Sequence, residues 1–514
     1  MNKKLFSQSN LWLLIFGLIN LFTSGRWTIA LAAWFAPIFG IRYLHTYPKR
    51  RKYLFFYLVL WLTLAVAWFG ATPQTGPIHF AFMAVNALAA SIPYFLDSVL
   101  APGLRRDGRL PFIATFIFPL AGTALEYLTS SLNPIGNFGA LGYSQYAFPV
   151  LTQITAVTGM LGLTFLVSWF PAVVNWAWDN GFEWQRIRTG TLTYTAVLLL
   201  VAGYGVLRLV TAPEVGALET VPVASFTMTE NHMGELNELL EQEGIAVFRQ
   251  ETQAVHEQYL SMTDNAIDDG ARIILWPELA IIGTEEDIQA VLSKGQALAD
   301  EADVYLAMPT FTLFPDSERP AENILYVADP DGDIVIEHVK YGGNILEGTL
   351  PGSGEIEAVD TEYGRLAGII CWDTNYPNIV RQVGRQDVNI LLSPAKEWDG
   401  INPMHAEMAV FRALENGSAV IRQSDEGLSI IVDGYGRTLA SGEGLASSGN
   451  YLLAEVPTSS PSTLYPFFGD VIGIIALVGL VALVIFALVA RKRRNSEEQI
   501  SMEKDPVCPE HNLG

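Results

Sequence analysis

Eight apolar runs divide this chain, near 11–23, 28–44, 53–71, 78–100, 111–132, 150–178, 190–210 and 468–490. A hydrocarbon core of roughly 30 Å takes about 20 helical residues to cross. The pattern therefore predicts about seven membrane helices in a domain over 1–210 and one more over 467–490, followed by a tail over 491–514. The first two runs are short or interrupted, at Ser24-Gly25-Arg26 and at Pro37. Between runs seven and eight the pattern changes. Residues 211–466 are polar and carry short apolar stretches of strand length, interleaved with amphipathic stretches of helix length. Strands are expected at 221–226, 272–276, 304–308, 324–328, 334–339, 366–370, 388–392, 419–423, 428–432 and 451–456. Helices are expected at 245–268, 285–302, 375–385 and 403–416. Asp329-Pro330-Asp331-Gly332 between two strands reads as a turn. This alternation implies an α/β layered domain inserted into a helical membrane protein.

Charge adds orientation. Lys3 and Lys4 precede the first run, and Arg42 with Lys49 to Lys52 follow the second. Arg105, Arg106 and Arg109 follow the fourth, Arg186 and Arg188 the sixth, and Arg491 to Arg494 the eighth. The alternate loops are nearly free of Lys and Arg, Arg26 excepted. Short basic loops stay cytoplasmic, so a multi-pass protein of the cell membrane is expected, with both termini cytoplasmic and the 211–466 domain extracytoplasmic. The first run lacks a small-residue cleavage site, and it is read as a retained helix. Half of the residues are hydrophobic and the net charge is −22, with a mean hydropathy of +0.28. The acidity concentrates in 211–466 and argues against nucleic acid as a partner. No phosphate loop and no metal-spaced His/Cys cluster occurs, so neither metal nor organic cofactor is expected.

Candidate chemistry sits at strand ends. Glu278 follows Ile273-Ile274-Leu275-Trp276-Pro277, Lys340 follows Ile334 to Val339, and Cys371 follows Leu366 to Ile370. The other cysteine, Cys508, lies in the tail, on the opposite side of the membrane if the orientation holds. A carboxylate can take a thiol proton, an ammonium can favour a thiolate and hold an oxyanion, and a thiolate can attack an acyl carbon. Taken singly, Glu278 and Lys340 read better as solvated strand-end charges and Cys371 as a small buried hydrophobe. Their joint occurrence at strand ends makes the case. Glu126 and Asp97 fall within apolar runs, where carboxylates are costly and often functional. They are equally read as groups satisfied inside the helical bundle. The outer loop from Asn133 to Pro149, rich in Gly, Asn and Tyr, is expected to pack beneath the outer domain. Helix packing and ion pairing are expected of His405 and Arg412.

Trp276-Pro277-Glu278, Lys340 and Ile370-Cys371-Trp372-Asp373 with Tyr376-Pro377 resemble the nitrilase, or carbon-nitrogen hydrolase, superfamily. So do His405 to Ala409, Arg412 to Gly417, Arg422 and Asp425 to Ser429. The resemblance implies an αββα sandwich, with Glu278 as general base, Lys340 as stabiliser of the tetrahedral intermediate and Cys371 as nucleophile. The Trp372 N–H would join the oxyanion site. Placed after seven runs and before an eighth, the layout resembles the apolipoprotein N-acyltransferase family. That implies a phospholipid acyl donor, a Cys371 thioester and a lipoprotein diacylglyceryl-cysteine amine as acceptor. Glu347 stands in for the family's second glutamate, one residue nearer its lysine, and Pro351-Gly352 shortens the loop that follows. Trp372 replaces the common tyrosine and Asp373 the common glutamate, and Trp398 is a candidate acyl-pocket wall. The short loop keeps open a membrane-anchored amidase with the same triad or a different amine acceptor. A catalytically silent interaction module is the remaining alternative.

Overall fold

The computed structural model describes residues 8–106, 111–226, 244–315, 317–425, 427–443 and 451–504. Lys3, Lys4, Arg109, Glu426 and Cys508 lie outside them. A helix forms at each of the first seven apolar runs: α1 (Gln8–Asn20), α2 (Ala30–Thr46), α3 (Lys52–Ala67), α4 (Gly76–Arg106), α5 (Ile117–Leu132), α6 (Thr155–Asp179) and α7 (Trp184–Val210). In the outer domain come α8 (Ile245–Asp268), α9 (Glu285–Ala302), α10 (Pro377–Arg385) and α11 (Met404–Asn416), and the last run forms α12 (Val471–Lys504). Among the described residues, five helical segments are long and apolar enough to cross a membrane: those of α4, α5 with its preceding turn, α6, α7 and α12.

Two expectations need correction here. Pro37 does not interrupt the second helix, which runs through it. The third run is not helical throughout. α3 ends at Ala67, whose carbonyl accepts the Arg26 N–H at 3.0 Å. At 16 residues and about 1.5 Å per residue it is too short for a full crossing. Residues 68–71 turn instead toward the outer domain.

That domain is a two-sheet sandwich. Its strands are β1 (Thr220–Phe226), β2 (Ile273–Leu275), β3 (Ile281–Gly283), β4 (Tyr305–Thr312), β5 (Glu322–Ala328), β6 (Ile334–Val339), β7 (Ala358–Thr361), β8 (Gly364–Gly368), β9 (Ile390–Lys396), β10 (Ala419–Asp425), β11 (Leu428–Val432), β12 (Thr438–Glu443) and β13 (Tyr451–Pro457). One sheet runs β13-β1-β2-β4-β5-β6 with β3 beside β4, and the other runs β12-β11-β10-β9-β8-β7. The central pairs β1–β2, β2–β4, β8–β9 and β9–β10 are parallel. Parallel strands are covered on both faces, which explains their near-continuous apolar runs. The two-residue period still sorts the side chains. Ile273, Leu275, Leu325, Val327, Ile390 and Leu392 meet between the sheets. Ile274, Leu306 and Met308 face outward under α8 and α9, and Ala367, Leu391 and Val420 under α10 and α11. The result is the expected αββα order. The strand expectations missed β3, β7 and β12, which are short or at sheet edges.

The sandwich stands on the membrane helices through its second helical layer. Met408 and Phe411 of α11 share a core with Tyr143, Met160 and Leu161. Arg412 pairs with Glu415 at 2.9 Å and donates to Tyr143 Oη at 3.1 Å, and Glu415 accepts the Met160 N–H. The ion pairing expected of Arg412 is thus also a docking contact. The 133–149 loop packs beneath the sandwich as expected. Asn137 N–H donates to Asn375 O at 2.9 Å, and Gly136 (φ +60°) sits so close to the same carbonyl that a side chain there would collide with it.

Acid sensitivity follows from one buried histidine. His256 Nε2 accepts the Ile282 N–H at 3.3 Å, and burial pulls its pKa down from 6.5 to about 4. The unfolded chain therefore binds the extra proton between those values. The contribution is complete above pH 6.5 and is lost as pH falls toward 4, about 3 kcal/mol in all. Melting temperatures of His256→Gln should fall less steeply than wild type between pH 7 and 4.5; parallel curves would refute this.

Candidate active site

Three strand ends converge. Glu278 leaves β2, Lys340 leaves β6 and Cys371 leaves β8, and all three side chains are buried. Lys340 Nζ donates to Glu278 Oε1 at 2.6 Å and also contacts Glu347. Asn323 Nδ2 donates to Glu278 Oε1 at 2.9 Å, and Lys396 N–H to Oε2 at 2.7 Å. The Cys371 thiol points at Lys396 O, 3.6 Å away. Thiol and base thus converge on the two ends of one residue's backbone. Cys371 has φ +46°, a left-handed conformation that costs a non-glycine residue about 1–3 kcal/mol. It opens a short 3-10 turn, Cys371–Asn375. The first N–H groups of such a turn have no acceptor within it, so the Trp372 N–H is available to an oxyanion.

The electrostatics revise one expectation. Burial, and next the Glu278 charge, push the Cys371 thiol well above its ordinary value, against the pull of Lys340 and Arg422. The resting group is a neutral thiol rather than a thiolate. Burial opposes the charge on Lys340, but the Glu278 and Glu347 carboxyl groups beside it outweigh that and hold the ammonium above the usual lysine range. Burial raises the Glu347 carboxyl, against Lys340. The arrangement is a protonated thiol, a Glu278 side chain held by three donors and a fixed cation. That suits acyl transfer in which the proton leaves as the bond to sulfur forms.

Comparisons with known proteins agree with this chemistry. Residues 242–460 match the carbon-nitrogen hydrolase family, and residues 6–173 match the apolipoprotein N-acyltransferase N-terminal domain. Similar curated proteins include the apolipoprotein N-acyltransferase of Geobacter metallireducens, 26% identical over 466 residues that cover 85% of each chain. That of Brucella melitensis is 27% identical over 473 residues and 83% of each chain. The two family matches and the curated relatives together support an apolipoprotein N-acyltransferase of the nitrilase superfamily. Among solved structures, an amidase of the nitrilase superfamily from Nesterenkonia is similar at 17% identity and a TM-score of 0.38, covering 48% of this chain and 93% of that one. The relatives and the five long apolar helices make the chain a membrane protein and an acyltransferase.

Of the supporting residues, Glu347 lies beside Lys340 on a single helical turn, Asn344–Glu347. Asn344 knits that shortened loop through Nδ2 to Lys340 O, Thr349 Oγ1 and Leu350 O. Asp373 is fully buried and accepts from the N–H groups of Ile370, Tyr341 and Gly342, with His338 at 2.8 Å. Its place is to pin the Lys340 loop to the Cys371 turn. Trp372 stacks on Trp398 with ring centroids 6.3 Å apart, and Phe138 packs on it at 5.1 Å. Trp398 Nε1 donates to Gly70 O at 2.8 Å, tying this wall to the membrane domain.

Sequence reasoning missed Asn323, the Lys396 backbone, and the depth of one network. Arg422 donates to Cys371 O at 3.0 Å and to Glu397 Oε1 at 2.7 Å, and lies 3.0 Å from His405 Nδ1. Burial and Arg422 pull the His405 pKa down, keeping it neutral. Lys396-Glu397-Trp398, three polar or aromatic residues closing β9, was the signal that could have exposed it. Asp97 Oδ2 pairs with His45 at 2.8 Å, so of Asp97 and Glu126 it is the one with an ionisable partner among the described residues.

Proposed function

We propose that this protein moves an acyl chain from a phospholipid through a thioester on Cys371 to the α-amino group of a lipoprotein's diacylglyceryl-cysteine. The observation that carries the reading is the buried Glu278–Lys340–Cys371 constellation standing directly on a lipid-facing helical domain. In the first half-reaction Cys371 Sγ attacks the donor ester carbonyl as Glu278 takes the thiol proton. The Lys340 ammonium and the Trp372 N–H hold the oxyanion. Glu278 returns the proton to the leaving glyceryl oxygen, and a lysophospholipid departs. In the second, the acceptor's neutral amine attacks the thioester, its proton passes to Glu278, and the thiolate leaves and is reprotonated. The amide so formed is stable; the thioester is reactive enough to drive it. Glu347 orients Lys340 by charge, and Trp372 with Trp398 lines the acyl side. The catalytic domain, 211–466, faces outward and both termini face the cytoplasm, the arrangement the basic loops favour. Relatives matching over most of the chain are acyltransferases, which disfavours water as the acceptor.

Incubation with a labelled phospholipid should trap a hydroxylamine-sensitive adduct on wild type and none on Cys371→Ala. Addition of a diacylglyceryl-cysteinyl peptide should then transfer the label to the peptide amine. Label released only as free acid, or an adduct retained by Cys371→Ala, would overturn the reading.

A further inference from the structure

Beneath the Cys371 turn lies a cavity of about 300 Å³ between the membrane helices and the 133–149 loop, lined among others by Glu126, Asn137 and Thr164. Glu126 sits on α5, well inside the helical domain. Its partners among the described residues are neutral: Leu141 N–H donates to Oε1 and Thr164 Oγ1 to Oε2, both at 2.7 Å. A carboxylate has about four lone-pair sites, so two remain open toward the cavity. In the same lining Asn137 is 5% exposed, and neither its Oδ1 nor its Nδ2 has a hydrogen-bond partner among the described residues. A carboxylate without a cation and an unsatisfied amide oxygen are both costly at membrane depth. Here they line one cavity, and both are acceptors.

We propose that Glu126 and Asn137 form a subsite for a primary ammonium group of a lipid substrate. An ammonium brings three donors and a positive charge and no acceptor, which is the complement of this pair. A quaternary ammonium has no N–H to give the Asn137 oxygen, and a glycerol headgroup has no charge to give Glu126. The position fits a substrate whose other end reacts. Asn137 is bonded through its N–H to Asn375 O, at the end of the Cys371–Asn375 turn. Its neighbour Phe138 packs on Trp372, next to the nucleophile. A group held here is therefore one loop's thickness from Cys371. The donor of the proposed reaction carries such a group at its non-reacting end, as an ethanolamine headgroup, whereas the acceptor's α-amino group is itself the reacting end. This inference rests on the acyltransferase reading for its ligand, though not for its binding test.

Binding is read without turnover on full-length Cys371→Ala in detergent micelles, by native mass spectrometry with phosphatidylethanolamine, phosphatidylcholine and phosphatidylglycerol of matched chains, and with the diacylglyceryl-cysteinyl peptide. Adding Glu126→Gln should weaken a primary-ammonium ligand by about tenfold or more, the size of a lost charge-assisted hydrogen bond, and leave phosphatidylglycerol unchanged. Loss confined to phosphatidylethanolamine supports the subsite, and loss confined to the peptide overturns it, because there the amine is the reacting end. In wild-type background, the same substitution should raise the donor KM and spare kcat. Equal weakening of every ligand marks a structural role and overturns the proposal, as does no change in any. Asn137→Leu gives the same comparison if Glu126→Gln loses its melting transition. A wild type that forms no thioester refutes the acyltransferase reading alone, because the binding arm stands apart from it.

Discussion

Glu278→Gln is expected to slow thioester formation by about 10²–10⁴-fold, the usual worth of a positioned general base. The neutral amide keeps the size of the side chain and an oxygen for the Lys396 N–H. What it loses is the capacity to take the Cys371 proton. That loss is severe here because the thiol is held well above its ordinary value by burial, so little thiolate forms without a base. The measurement is single-turnover acylation from labelled phospholipid, with far-UV circular dichroism and a melting curve as controls. A folded Glu278→Gln protein with the wild-type acylation rate would remove Glu278 from the base role.

Arg422→Ala should destabilise the outer domain by about 3–5 kcal/mol, the cost of leaving one partner of a buried ion pair alone. Arg422 and Glu397 both have fully buried side chains. Burial disfavours the Glu397 charge, yet Arg422 and His405 outweigh it and keep the carboxyl below its usual range. Without Arg422 that charge loses its main support, and the carbonyl of the strained Cys371 loses a donor. Hydrogen exchange of β8, β9 and β10 in the full-length protein reads the effect locally. Arg422→Ala with Glu397→Ala should recover part of the loss, since the stranded charge is gone. Unchanged protection in Arg422→Ala would mean that the pair adds nothing to the domain.

Much of this architecture is written in local periodicity. Most of each apolar run becomes helix, because in lipid the backbone has to satisfy itself, and a helix formed at each of the eight runs. The long strands and the helices at 245–268 and 285–302 were equally legible, since their periods of two and 3.6 are set by the pleat and the helical turn. Glu278, Lys340 and Cys371 stood out because each closes an apolar strand. Short pieces escaped. β3 spans Ile281–Gly283 and takes its strand form from pairing with β4, a contact far along the chain.

Residues 68–71 are as apolar as α3, yet they turn. The reason is tertiary: Ala67 O is taken by Arg26 N–H, and Gly70 O by Trp398. The same holds for the chemistry. Composition supplied a thiol, a carboxylate and an ammonium. Their state depends on burial and on charges brought together from both sheets, which set the thiol neutral and the lysine firmly charged. The bonds that Asn323 and the Lys396 N–H make to Glu278 have no local pattern that announces them, because a contact between distant segments leaves no period in the chain. Desolvation and long-range partners belong to the folded arrangement, and a linear string of residues does not carry them.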